Sequence, residues 1–238
     1  MSKHLLSSMS VARLDNQQRR RAIVAAAVPL FARKGFAGTT TKEIAEAAGV
    51  SEGLLFKHFP SKSALYEEIH REGCLGDPRL ERLLVLEPST AALIDMVHFM
   101  LRHSIVGATP GSEQETRHRL MVNSFLEDGE YARLALQWLE AHILPRVEAS
   151  LRAAEAAGDL VALPTGFANR FWFGHHLAAM LAFLRLPGRD VVPYEGDVET
   201  LIDGAARFIL RGLGIKDEVI AAHRVAAYPA AAAAAAAQ

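Results

Sequence analysis

Residues 38–63 constrain this chain more than any other stretch, because they spell out two short helices and the turn between them. Thr40 can N-cap the first helix, its hydroxyl accepting an orphan backbone N–H. Glu43, three residues on, completes a T-x-x-E capping box. Ile44, Ala45 and Ala48 then share one helical face. Gly49 follows the last periodic residue, where a positive φ is wanted and glycine takes it cheaply. Val50 is apolar and can plug the angle between the helices. Ser51 can N-cap the second helix, which carries Leu54, Leu55 and Phe56 until Pro60 stops it. Helix, glycine-bearing turn and capped helix together form the signature of a helix-turn-helix.

In that motif the second helix lies in the DNA major groove and the first crosses the backbone. Thr39, Thr40 and Lys42 stand at a helix N-terminus, where N–H groups and the dipole favour a phosphate. Lys57 and Lys62 are cations suited to phosphate or guanine. Leu54 and Phe56 are expected to divide between groove and core. Ser51 and Gly53 are small enough for close approach to a duplex, and His58 can donate to a phosphate. Glu52 is the exception: phosphates repel a carboxylate, so it either reads a cytosine N4 amine or points away.

Thr39-Thr40 through Ala45, Ala48-Gly49-Val50-Ser51, and Phe56 through Lys62 with Leu65 closely resemble the TetR family of bacterial repressors. The likeness extends back over Ala26-Ala27 and Leu30-Phe31-Ala32-Arg33-Lys34-Gly35-Phe36 and covers roughly residues 19–72, under a third of the chain. The resemblance implies that Phe56 and His58 stand where the family usually has tyrosines, the latter touching the DNA backbone. Glu52 stands where the family often has a cation or a small residue. The resemblance also implies a C-terminal domain that binds a small molecule, moves the fourth helix and spreads the recognition helices. It implies dimerisation through the last two long helices as a four-helix bundle. A competing pattern, Gly49-Val50-Ser51-Glu52-Gly53, matches the G-x-S-x-G nucleophile elbow. That elbow needs a strand before it, whereas a capped, alanine-rich helix precedes it here and no run of strands exists in the chain.

Half of the 238 residues are apolar, Ala and Leu dominate, and β-branched runs are scarce, so an all-α fold is expected. The formal net charge of −1 hides an asymmetry. Residues 1–72 hold eleven Lys/Arg against seven Asp/Glu, net +4; the remainder holds fifteen against twenty, net −5. A basic first domain with an acidic remainder fits a nucleic-acid partner for the first. A single cysteine, Cys74, excludes an intramolecular disulfide framework and a cysteine-based zinc site and suits a reducing cytosol. No apolar core with a cleavage site begins the chain, so no signal peptide is read. The most apolar stretch, 167–186, is interrupted by Asn169, Arg170, His175, His176 and Arg185 and reads as a buried helix. A cytoplasmic protein without a membrane partner is expected.

The division expected is a flexible basic arm over 1–16, a helix-turn-helix DNA-binding domain over 17–76, a helical ligand-binding and dimerisation domain over 77–227, and a low-complexity alanine tail over 228–238. The arm and its junction carry Arg13, Arg19, Arg20 and Arg21, either for phosphate or minor-groove contact or as a solvated tail. Helix 1 is expected from about Asn16 to Lys34, bent at Pro29 and ended by Gly35. Ser61 should cap a fourth helix ending near Gly73, with Gly76-Asp77-Pro78 as the boundary. Further helices are expected over 90–106, 113–126, 130–157, 165–186 and 197–213. The last two are apolar enough to pack on symmetry mates, with Leu201, Ile202, Ala205, Phe208 and Ile209 as the interface.

A mixture of aromatic and polar groups suits a ligand pocket: Phe99, Arg102, His103, Phe125, Trp138, His142, Trp172 and His176. An anionic or aromatic-acid ligand stays open. Adjacent rings such as His175 and His176 diverge by ~100° on a helix, so no metal is expected, nor any other cofactor or catalytic constellation. The expectation is a homodimeric regulator, most simply a repressor released by a small effector from a near-palindromic double-stranded DNA operator. A ligand-independent regulator, an activator and, remotely, a helical enzyme are the alternatives.

Overall fold

The structure, a computed structural model, describes residues 15–74, 81, 84–107, 110–188 and 191–223. The arm before Asp15 with Arg13, the Gly76-Asp77-Pro78 break and the alanine tail lie outside the described residues. The described elements are helices: α1 Asn16–Gly38, α2 Thr41–Ala47, α3 Glu52–His58, α4 Lys62–Cys74, α5 Thr90–Ile105, α6 Glu113–Leu126, α7 Glu130–His142, α8 Leu144–Ala156, α9 Phe167–Phe183, α10 Val198–Leu213 and α11 Asp217–Ala222.

Local chemistry sets most boundaries. Asp15 caps α1 in a reciprocal box with Gln18. Thr40 and Glu43 form the expected box on α2, and Ser51 caps α3 through the Leu54 N–H. Ser61 accepts from the Ala64 N–H, Ser89 from Ala92, Ser112 from Glu115 and Asp197 from Thr200, each opening a helix. Helical dihedrals persist through Pro29 and break at Gly35, whose φ of 70° only glycine adopts cheaply. A Cβ there would also lie 1.6 Å from Glu127 Oε1.

Three expectations are corrected. The single helix foreseen over 130–157 is two, α7 and α8, divided at Ile143. Pro145 has no N–H for the Ala141 carbonyl and its ring crowds that carbonyl, so it sits in the first turn of α8 instead. The helix foreseen over 165–186 is α9, 167–183; Leu184–Leu186 close as tight turns rather than continuing it. The short α11 was not foreseen.

Two apolar clusters organise the packing. One joins Ile23, Ala27 and Phe31 of α1, Ile44 of α2, Leu55 of α3 and Leu65, Tyr66 and Ile69 of α4. It also takes in Leu120 of α6 and Tyr131 of α7. The most extensive packing between two elements joins α1 and α6. The other cluster is built from α5, α8, α9 and α10, with Leu93, Leu101, Leu151, Leu181, Ile202 and Leu210 at its centre. No described helix is long and apolar enough to cross a membrane.

Candidate nucleic-acid interface and interior cavity

The turn of the helix-turn-helix is made as its sequence requires. Gly49 takes φ +64°, its N–H donates to the Glu46 carbonyl, and Val50 packs on the N-terminal cluster. Leu55 and Phe59 point inward at 2% and 1% exposure, which aims the opposite side of α3 outward. Ser51, Glu52, Gly53, Phe56 and Lys57 are exposed there, and Leu54 and His58 are half-buried. Thr40 and Lys42 are exposed at the α2 end of the same unit.

Two of the foreseen DNA contacts are spent inside the fold. Thr39 is fully buried and its hydroxyl donates 2.7 Å to the Gly35 carbonyl, so its side chain has no surface to offer a phosphate. Lys62 is only half-buried, but its ammonium donates to the Phe36 and Thr39 carbonyls at 2.5 and 3.0 Å and lies 4.2 Å over the Phe36 ring. It ties α4 to the end of α1 and is not a free cation. Glu52 turns aside: its carboxylate accepts 2.8 Å from the Thr41 hydroxyl at the start of α2. Nearby cations and burial set the state of His58. Burial, then Arg19, Arg20 and Lys57, push its pKa below the ordinary value, so at neutral pH it brings an N–H rather than a charge.

Arg20, read from sequence as either a phosphate or minor-groove contact or part of a solvated tail, is a clamp. It donates 2.8 Å to the His58 carbonyl at the end of α3, pairs with Glu68 of α4 at 3.1 Å and stacks 4.2 Å over Phe59. Glu68 is 6% exposed. Arg71 first, then Arg20, hold its carboxyl down to about 2. Sequence could not separate this arginine from its neighbours, because the partners lie 38 and 48 residues away.

The second site is a cavity of about 1140 Å³ enclosed mainly by α5, α6, α7 and α9. Of the residues foreseen there, Phe99, His103, Phe125, Trp138 and His176 line it. The other three do not. Arg102 is drawn off by a bidentate pair with Glu199 of α10. His142 stacks on Trp138 at 4.8 Å and donates to its carbonyl from outside the wall. Trp172 packs on the C-terminal cluster and stacks on His176. Sequence reasoning missed His70, His118 and His175 as lining. Their place depends on how α4, α6 and α9 face one another, and nothing in their own neighbourhoods announces it. Among the described residues no three His, Cys, Asp or Glu side chains are grouped to hold a metal ion.

One helix serves both sites. α6 presents Gln114, His118 and Met121 to the cavity and Leu120 to the N-terminal cluster. Asn123 donates 2.6 Å to the Ala32 carbonyl of α1. Glu127, just past α6, accepts from the Phe36 and Ala37 N–H groups at 2.7 and 3.2 Å, capping the helical turn that resumes after Gly35.

The face foreseen as the subunit interface is also divided by the structure. Ile202 and Ile209, foreseen as interface, are buried within the chain itself at 0% and 4% exposure. Phe208 is 71% exposed on the other side of α10, next to half-buried Leu201 and Ala205. α9 adds Phe173 and Met180, exposed at 63% and 54% although this helix was expected to be covered on most sides.

A capped helix-turn-helix on a basic unit, docked against a hollow helical bundle, defines the class. The family model described as "Bacterial regulatory proteins, tetR family" matches residues 23–69. The chain is 46% identical over 54 residues to the HTH-type transcriptional regulator RutR of Escherichia coli K12, covering 23% of this chain and 26% of that one. It is 44% identical over 59 residues to the HTH-type transcriptional repressor KstR2 of Rhodococcus jostii, covering 25% and 28%. To AcrR of Shigella flexneri it is 29% identical over 119 residues, covering 49% and 52%. The chain thus spans about half the length, or less, of these curated relatives. The fold is that of NalD of Pseudomonas aeruginosa, described as the secondary repressor of the MexAB-OprM multidrug efflux pump, with a TM-score of 0.59 at 24% identity over 85% of this chain and all of that one. Residues 23–69 thus match the DNA-binding region of the tetR family of bacterial regulatory proteins, and the rest of the chain shares a fold with NalD.

Proposed function

We propose that the protein is a sequence-specific DNA-binding transcriptional regulator of the cytoplasm, a homodimeric repressor released from its operator by a small molecule held in the cavity. The observation that carries this reading is the outward face of α3, where Ser51, Gly53, Phe56 and Lys57 stand exposed behind a capped N-terminus. Small residues permit approach to base edges, and a lysine supplies a phosphate or guanine contact. A two-fold dimer through the exposed stripes of α9 and α10 would place two such helices in successive major grooves, ~34–36 Å apart.

Release would run through α6 together with α4. A guest pressing on α6 presses on the helix that holds α1 through Leu120, Asn123 and Glu127. α4 contributes His70 and Glu72 to the same wall. The fourth helix is then one of two levers rather than the only one.

Selection from random duplexes at near-physiological salt tests the reading. A recovered near-palindrome with half-sites about one helical turn apart is the expected result. Recovery of only salt-sensitive, sequence-independent binding overturns it.

A further inference from the structure

The number of histidines on the cavity wall invites an anionic guest, and the physical state of those rings argues against one. Five of them, His70, His103, His118, His175 and His176, line the space. Burial pushes His118 and His175 down to about 4 and His70 below its ordinary value. At neutral pH these three rings are uncharged. The other formal charges on the wall are Glu72, Glu113 and Arg117. Glu113 is 90% exposed, which places it at the rim, and Arg117 pairs with it at 3.4 Å. Burial raises the Glu72 carboxyl above its ordinary range, a sign of surroundings that disfavour charge.

The remainder of the wall is apolar and compliant. Met96, Met100 and Met121 bring unbranched side chains that fit irregular guests. Phe99, Trp138 and Phe183 bring flat surfaces. A carboxylate entering this space would lose its hydration, and the one arginine on the wall is already paired with Glu113.

The neutral imidazoles still give the guest something to bond. The Nδ1 atoms of His118 and His175 are sealed from solvent and have no partner. His118 spends its other nitrogen on the Gln114 amide at 3.0 Å. His175 has its Nε2 left. With Nδ1 sealed, a proton on Nε2 is the cheaper tautomer, since it strands a lone pair rather than an N–H. His175 is therefore a neutral donor on an apolar wall.

We infer that the cavity takes an uncharged, largely apolar aromatic molecule carrying a hydrogen-bond acceptor, held by His175, and that it rejects free carboxylates. The inference rests on the cavity being an effector site. At about 1140 Å³ the space exceeds the usual span for one drug-sized ligand, so a guest of several fused rings fits.

The test uses four probes with one fluorescent skeleton: pyrene, 1-pyrenebutanol, 1-pyrenebutyrate and 1-pyrenebutylamine, titrated into the full chain at pH 7. The butanol is expected to bind at least tenfold more tightly than the butyrate and more tightly than the amine. His175→Phe should weaken the butanol several-fold and leave pyrene unchanged. A charged analogue that binds as tightly as the alcohol, or an alcohol affinity indifferent to His175→Phe, overturns the ligand class. The effector-site reading fails differently. Either no probe binds, or all bind equally well to a Leu136→Trp, Ala179→Trp double variant that fills the cavity while keeping the wild-type circular dichroism spectrum.

Discussion

The N-terminal unit and the C-terminal bundle are both helical, and they differ in how completely each satisfies itself. In the first, the buried polar groups have partners: Thr39 on the Gly35 carbonyl, and Glu68 between Arg20 and Arg71. Its aromatic core is closed, with Phe31 4.9 Å from Tyr66 and Tyr66 5.3 Å from Tyr131. The bundle has buried ring nitrogens without hydrogen-bond partners at His118 and His175. It encloses about 1140 Å³ and leaves Phe173 and Phe208 bare. Protein interiors are close-packed, and buried polar groups are bonded. Departures from both rules on one side of the molecule mark where another body is expected: a guest inside and a second copy outside. The N-terminal unit is closed on itself, and the bundle is not.

Core truncation should separate the two most strongly. Phe31→Ala removes a fully buried ring and should cost about 3–5 kcal/mol in urea unfolding. Leu136→Ala borders space already empty, so about 1 kcal/mol or less is expected. Equal costs would mean that the cavity is not open in solution. On the outer face, Phe208→Glu should weaken dimerisation by about 2–4 kcal/mol without unfolding the subunit, because the ring is exposed in one chain. An unchanged dimer by sedimentation removes that face of α10 from the interface.

Acid sharpens the same contrast. Glu68 has a folded pKa of about 2, below its unfolded value, so it contributes stability above pH ~4.5 that is lost as pH falls toward 2. Its arginine partners are partly exposed, which limits the effect to about 1–2 kcal/mol. Glu68→Gln should flatten the pH dependence of unfolding across that window. An undiminished slope would mean that other carboxylates carry the acid sensitivity.

The legibility of the chain follows the range of the interactions. Thr40, Glu43, Gly49 and Ser51 act within three residues of themselves, and each takes the conformation its type foretells. The helix from Glu113 to Leu126 was bounded by its own Ser112 cap. Residues whose roles depend on distant partners were misread. Lys62 reaches 26 residues back to Phe36, Arg102 reaches 97 residues on to Glu199, and Ile202 and Ile209 face their own core. A helical face can be read as apolar from its period, but whether it meets its own subunit or another is a tertiary fact. The cavity was half legible, because Phe99, His103 and Trp138 have the chemistry of a lining, whereas His118 and His175 acquire theirs only when α6 meets α9.

The smallest expected effect bears most directly on what the finished unit is for. Lys57 and Lys62 look alike in sequence, two cations in or after the recognition helix. Lys57 is exposed on the outer face of α3, while Lys62 is bound to two carbonyls and an aromatic ring. A phosphate contact releases counterions, so Lys57→Ala should lower the slope of log affinity against log salt by about one unit. The melting temperature should not move. Lys62→Met should do the reverse, lowering stability by about 1–2 kcal/mol through two unpaired carbonyls. Once both proteins are folded, its salt slope should stay unchanged. The pair of slopes, measured on one duplex over one salt series, discriminates between the roles. A lowered slope for Lys62→Met would mean that the ammonium leaves Phe36 and Thr39 for the DNA on binding. The end of α1 would then be remodelled by the operator itself, and the reading unit would not be as closed as its free structure.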